Sequence, residues 1–137
     1  VGGFPYGRFS QGYSAIEERK SRCGKNVLFT GFVEDIADAY CSADVFFMPS
    51  YAEGLPMVIL EALSTGLSVV ARRIPEFTEN FKDTVLYFDD IEEAGMLLAD
   101  RALLEQHAAL SRPFTEEYDI KTVADLHVNL YRELTEQ

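Results

Sequence analysis

Two glutamates eight residues apart, Glu53 and Glu61, are the side chains best placed to do chemistry. Glu53 sits in the turn-forming string Pro49-Ser50-Tyr51-Ala52-Glu53-Gly54-Leu55-Pro56, and Glu61 lies in the helical pattern that follows it. Ionised carboxylates only accept hydrogen bonds, so their natural partners are hydroxyl groups, such as those of a sugar and a ribose, rather than phosphate. Gly54 lets the backbone come close to a ligand. The N–H groups of Leu55, Met57 and Val58 at the helix start favour negative charge or sugar oxygens, while Pro56 offers no donor. The spacing 54, 57, 61 puts Glu61 on the helical stripe that leads back to the loop, so both carboxylates can face one crevice. Glu61, Ser64 and Thr65 also form an i, i+3, i+4 set of the kind that lines a solvated helix face, and spacing alone leaves both readings open.

The elements that must position these residues are a strand and a helix. Val45-Phe46-Phe47-Met48 is an apolar run without polar alternation, the pattern of a strand covered on both faces. The helix begins near Pro56, carries Leu55, Val58, Ile59, Ala62 and Leu63 at helical spacing, and stops at Gly66. The loop between them therefore lies at the carboxyl end of a parallel strand, where open α/β sheets bind ligands. Three further runs read as strands: Val27-Leu28-Phe29-Thr30, Ser68-Val69-Val70-Ala71 and Val85-Leu86-Tyr87-Phe88, with Val1-Gly2-Gly3 as the end of a fifth. Glu34 and Asp35 open a helix whose stripe is Ile36, Ala39, Tyr40 and Ala43, and Cys41 on that helix is expected to be a small buried thiol. Asp90 and Glu93 resemble a capping box at the start of a helix running to about Ser111 and stopped by Pro113. A last helix from about Ile120 to Thr135 carries Val123, His127, Leu130 and Leu134 on one face. Strand and helix in alternation predict an α/β fold with a doubly wound parallel sheet, ending in two helices.

Composition bounds the rest. With 137 residues, 47% of them apolar, the chain fits one domain with a real core. The net charge of −11 excludes a broad nucleic-acid footprint. Cys23 and Cys41 are too few for a secreted disulfide scaffold and make no CxxC pair, so a reduced, cytoplasmic setting is expected. No apolar run reaches the length of a membrane span. The first residue is Val1 rather than Met, from which a natural N-terminal part upstream is expected. Acidic residues 89, 90, 92 and 93 have a sufficient electrostatic reason at a helix start, and His107 and His127 lack zinc-ligand spacing, so no metal is expected. Ser10, Ser14 and Ser50 make no G-x-S-x-G elbow, and the glycines at 2, 3 and 7 make no P-loop.

The string Glu53-Gly54-Leu55-Pro56-Met57-Val58-Ile59-Leu60-Glu61-Ala62, with Ala43-Asp44-Val45 and Pro49-Ser50 before it and Gly66-Leu67-Ser68-Val69-Val70-Ala71 after it, resembles the E-x7-E region of the group 1 (family 4) retaining glycosyltransferases. The match extends to Phe29-Thr30-Gly31-Phe32-Val33, to Ile74-Pro75-Glu76 and to the closing region of Tyr118 and Tyr131, and so covers nearly the whole chain. The resemblance implies a GT-B enzyme with two Rossmann-like domains. Residues 1–137 would be most of the C-terminal, nucleotide-sugar-binding domain, without its first strand and without the N-terminal acceptor domain. It implies that Glu53 is the catalytic residue of this chain and contacts the donor sugar's hydroxyls, and that Glu61 holds the ribose hydroxyls. Ser50, Gly54, Leu55, Pro56, Met57 and Val58 would surround the sugar and diphosphate, and Gly31, Phe32 and Val33 would lie against the base.

The same resemblance implies transfer of a hexose from a nucleoside-diphosphate sugar, UDP-glucose being favoured, to a glycan or lipid acceptor, with no cofactor and no metal. Retention would occur on the front face of the sugar, without a protein nucleophile, the departing diphosphate taking the acceptor's proton. Charge builds on that leaving group, and the family meets it with an Arg and a Lys from a G-R-x-x-x-x-K-like segment that this chain lacks, so the chain alone is expected to be inactive. The opening Gly2-Gly3-Phe4-Pro5-Tyr6-Gly7 resembles bacterial membrane-glycolipid glucosyltransferases, which implies peripheral association of the full protein with the inner face of the membrane. Where the family often has Gly-Gly before I-P-E, this chain has the shorter Ala71-Arg72-Arg73-Ile74. Either Arg72 or Arg73 reaches the diphosphate, or the two form an exposed pair at a strand end. Asn80-Phe81-Lys82-Asp83-Thr84 likewise replaces a Gly-rich turn. The last helix packs on its own sheet or, as in the family, on the other domain. The alternative function is a non-catalytic nucleotide or nucleotide-sugar binding module. A flavodoxin-like receiver does not fit, because Asp44 and Asp89 lack its layout.

Overall fold

The computed structural model describes residues 13–135, which divide into two compact units between Ile36 and Ala37. The expected strand end at Val1-Gly2-Gly3 and the glycines at 2, 3 and 7 lie outside the described residues.

In the first unit, α1 spans Tyr13–Arg22 and carries an exposed Arg22–Glu18 ion pair one turn apart. The Lys20 ammonium stands 5.0 Å from the centre of the Phe29 ring. Residues 27–30 do not form the expected strand, and Val27, Leu28 and Phe29 are all exposed. A strand exists only where its N–H and C=O groups find a ladder, and no described residue pairs with this segment. Gly31 takes a left-handed φ of 71°, a conformation that favours glycine there.

The second unit is built on three parallel strands, β1 (Val45–Met48), β2 (Ser68–Arg72) and β3 (Leu86–Phe88), in the order β1-β2-β3. Register sets Phe47 beside Val70 and Val70 beside Leu86, so these side chains share one face. On that face Val70, Leu86, Phe88 and Ala94 form a core against which Val45, Phe47, Leu97, Leu103 and Leu104 pack. The Phe47 and Phe88 rings stack at 5.2 Å. On the opposite face lie α2 (Ile36–Cys41), α3 (Met57–Ser64) and α4 (Pro75–Phe81), with Tyr40 edge-on to Phe46 and the Tyr87 hydroxyl donating to the Phe77 carbonyl. Burial of that phenol, and then the charge of Asp83, push its pKa well above the usual range, with Arg73 opposing. Helices thus cover both faces, which is why the strands read as unbroken apolar runs.

The C-terminal part has three helices where two were expected: α5 (Ile91–Ala99), α6 (Arg101–Thr115) and α7 (Ile120–Thr135). The expected single helix from Asp90 breaks at Asp100, whose carboxylate takes the Leu103 N–H at 3.0 Å and starts a new helix. Pro113 does not stop α6. The helix continues to Thr115, because Phe114 packs between Phe81 and Tyr118 and holds its last turn. Asp90 caps α5 by accepting from the Glu93 N–H at 2.8 Å, while the Glu93 carboxylate returns to the Asp89 N–H rather than to Asp90. Cys41 is exposed rather than buried, since it lies about 100° around the helix from the buried Tyr40.

Candidate functional site

The loop 49–56 leaves the carboxyl end of β1 and enters α3 through Pro56, which is buried and makes no side-chain cap. The Ile59 N–H donates to Pro56 O at 3.0 Å, and the Met57 and Val58 N–H groups are left to the loop side. At its other end α3 closes with Gly66 at φ 88°, the Gly66 N–H on Leu63 O at 2.9 Å and the Leu67 N–H on Ala62 O at 3.2 Å. Arg112 reaches across from α6 to Thr65 O at 3.0 Å. Ile59, Leu60, Ala62 and Leu63 anchor the helix in the core, which leaves Met57, Glu61 and Ser64 on its outer face.

That outer face is one wall of a groove of about 660 Å³. Met57, Leu60, Glu61 and Ser64 line one side, and Arg112, Thr115, Glu116, Tyr118, Asp119 and Ile120 the other. Of the stripe Glu61, Ser64 and Thr65, the first two are exposed and line this concave surface, while Thr65 is half-buried. Glu61 Oε2 accepts a 3.1 Å hydrogen bond from the Tyr40 hydroxyl. Burial first, then the bond to Glu61 and its charge, push the Tyr40 phenol up to about 12, so it remains a donor at neutral pH.

Glu53 is half-buried and takes no hydrogen bond or ion pair from a described residue. Gly54 has no left-handed φ, and a Cβ built on it would meet nothing within 4 Å. Neither backbone strain nor internal packing requires a glycine there. Leu55, Met57 and Val58 are exposed, and the Ser50 hydroxyl lies 3.9 Å from Met48 Sδ. Met57 and Glu61 therefore meet in the groove, while Ser50, Glu53, Gly54, Leu55 and Pro56 are gathered in the loop that precedes it. Gly31, Phe32 and Val33 belong to the other unit, with Phe32 exposed.

Arg72 and Arg73 form no free pair. Arg72 Nε donates to Pro49 O at 3.2 Å and its NH1 to Asp89 O at 3.1 Å, with the guanidinium 4.0 Å from the Tyr51 ring centre. Arg73 pairs with the Asp89 carboxylate at 3.0 Å. Both arginines tie together loops at the carboxyl ends of the strands, a role that a charge pattern does not reveal. Tyr40 was also missed as a site residue. The apolar stripe marks it for burial, but its hydroxyl on that stripe signals the need for a buried partner. No group of three or more His, Cys, Asp or Glu residues gathers among the described residues as a metal site would require.

A parallel sheet flanked by helices, with its open loop at a strand's carboxyl end, places the chain among the Rossmann-like α/β proteins. Its sequence matches the family of Glycosyl transferases group 1 over residues 5–110, and the chain belongs to that family. The sulfoquinovosyl transferase SQD2 of Arabidopsis thaliana is 38% identical to it over 109 residues, 70% of this chain and 21% of that protein. The alpha-galactosylglucosyldiacylglycerol synthase of Streptococcus pneumoniae is 28% identical over 142 residues, 93% of this chain and 37% of that one. The structure of sucrose-phosphate synthase from Thermosynechococcus elongatus is similar over 98% of this chain and 37% of that chain, with a TM-score of 0.78 and 24% identity. That likeness bears on the fold, which is that of a Rossmann-like part of a GT-B glycosyltransferase. The chain spans well under half the length of each of these proteins.

Proposed function

We propose that this chain is the donor-binding domain of a retaining hexosyltransferase, which holds a nucleoside-diphosphate hexose, UDP-glucose foremost, for transfer to a glycan or lipid acceptor carried by an N-terminal domain. The observation that carries the reading is a pair of carboxylates, Glu53 in the loop at the carboxyl end of β1 and Glu61 on the outer face of the helix that follows it. Glu53 is without a partner among the described residues, and Glu61 is exposed on a groove with one oxygen already engaged by Tyr40. Such acceptors call for hydroxyl donors, those of the hexose at Glu53 and of the ribose at Glu61. The open space at Gly54 fits close approach of the donor to the backbone. The family supports sugar transfer, and the name of the pneumococcal relative, a synthase of a glycosylated diacylglycerol, supports a lipid acceptor. A lipid acceptor in turn favours an enzyme working peripherally at the inner face of the membrane. Among the described residues no helix is long and apolar enough to cross one.

In this reading the anomeric bond breaks as the acceptor hydroxyl attacks the same face, and the departing diphosphate takes the hydroxyl's proton. Glu53 orients the sugar rather than attacking it. The diphosphate's growing charge needs cations beyond Arg72 and Arg73, whose guanidiniums are engaged by Pro49, Tyr87 and Asp89.

The test is a calorimetric titration of the chain, and of the full-length enzyme, with UDP, GDP, ADP and their hexose conjugates, repeated for Glu61→Gln. Saturable binding of one nucleotide, weakened by the substitution, is the expected result, with turnover by the full-length enzyme. Binding without turnover would favour a non-catalytic module, and no binding by either form would refute a donor site.

A further inference from the structure

We propose that Tyr40 is a positioning residue for the donor: by holding one oxygen of Glu61 it fixes the carboxylate so that the other oxygen accepts a nucleotide ribose hydroxyl in the groove. The inference rests on the reading of Glu61 given above and adds the group that makes that glutamate selective.

Tyr40 lies 21 residues before Glu61, on a different helix, and its hydroxyl is 3.1 Å from Glu61 Oε2. Tyr40 has only 8% of its surface exposed, and its ring sits edge-on to Phe46 of β1, with centroids 5.8 Å apart. The phenol is thus fixed by the sheet, and through it a flexible glutamate on an exposed helix face is referred to β1, the strand that leads into the 49–56 loop. An unrestrained glutamate loses rotamer freedom when it binds a ligand, whereas a tethered one has lost it before the ligand arrives. A carboxylate has room for about four hydrogen bonds, so one bond from Tyr40 leaves capacity for a hydroxyl. Met57, Leu60 and Ser64 share that wall of the groove with Glu61, and none of them carries a charge. The Tyr40 hydroxyl also has an electrostatic effect, since a neutral donor on Oε2 disperses the negative charge without competing for the groove as a cation would.

The experiment measures the affinity of the full-length enzyme for UDP, GDP and ADP and for their 2′-deoxy and 3′-deoxy counterparts, in the native protein, Tyr40→Phe and Glu61→Gln. Phe keeps the ring against Phe46 and removes only the hydroxyl. Native enzyme should prefer its ribonucleotide over at least one deoxy form by about tenfold, the size of one well-made hydrogen bond to a charged group. Tyr40→Phe should weaken the ribonucleotide about three- to tenfold, leave the deoxy form nearly unchanged, and raise KM for the sugar nucleotide with kcat little altered. The ribo-to-deoxy ratio is taken on one preparation, so a partly unfolded fraction cancels from it. Tyr40→Phe with the native ratio, or with equal losses for both forms, would overturn the positioning role while a reduced ratio in Glu61→Gln, which keeps a carbonyl acceptor without the charge, preserved the reading of Glu61. A native enzyme that does not distinguish the two forms, or a Glu61→Gln enzyme with the full native ratio, would overturn both.

Discussion

Replacing Arg72 with Met should loosen the 49–56 loop and lower stability by a predictable amount. The side chain makes two hydrogen bonds to carbonyls, Pro49 O at 3.2 Å and Asp89 O at 3.1 Å, and stacks on Tyr51 at 4.0 Å. A bond from a charged donor contributes about 1.5 kcal/mol at the low end of its range, and an exposed guanidinium on an aromatic face about 0.5–1 kcal/mol. Gross, that is about 4 kcal/mol. Pro49 and Asp89 are both exposed, so water replaces the lost donors on their carbonyls and the net loss should be about 2 kcal/mol. In urea that corresponds to a fall in midpoint of about 1 M with an unchanged slope. Amide exchange of residues 50–55 should accelerate, while that of the β2 interior should change only with global stability. Arg72→Lys keeps the charge but not a fork that spans two carbonyls, and should recover less than half of the loss. An Arg72→Met protein within about 0.5 kcal/mol of the native one, or a Lys variant equal to native, would refute the idea that Arg72 holds the loop.

Other substitutions probe separate parts of the structure. Ser68→Ala should be neutral or stabilising by up to about 1 kcal/mol in urea denaturation, because the Ser68 hydroxyl is buried with no hydrogen-bond partner among the described residues. Asp100→Ala removes the acceptor of the Leu103 N–H and should cost about 1 kcal/mol, seen as a fall in Tm of about 3–5 °C. Gly54→Val should leave stability within about 0.5 kcal/mol, since open space surrounds that position, yet weaken sugar-nucleotide binding in the calorimeter about tenfold by filling that space. In alkali, the raised pKa values of Tyr40 and Tyr87 mean that the folded chain keeps protons the unfolded chain gives up. The stability they contribute is full below about pH 10 and is lost as pH rises through the folded values, about 12 for Tyr40. Urea titrations at successive pH values should show the decline, and Tyr40→Phe and Tyr87→Phe should each flatten it.

By itself the sequence determined whatever depends on neighbours a few residues apart. The apolar runs at 45–48, 68–71 and 85–88, the helix between Pro56 and Gly66, the Asp90 cap and the helix from Ile120 to Thr135 could all be read from local pattern, and all are present. Local propensity and hydrogen bonds within one turn set these features. The hydroxyl-accepting chemistry of Glu53 and Glu61 was equally readable, because it belongs to the residue type. Helix α4 lay outside the elements predicted from periodicity, although Pro75 at its first turn and Phe77 and Phe81 four apart mark it. Only the tertiary structure decided that residues 27–30 find no ladder among the described residues, since a strand is defined by a partner that its own pattern does not name. It alone brought Tyr40 to Glu61 across 21 residues and Arg72 to Pro49 and Asp89 across 23 and 17. Those pairings depend on how helices pack on a twisted sheet, and layer packing joins side chains whose separation along the chain carries no periodic signal.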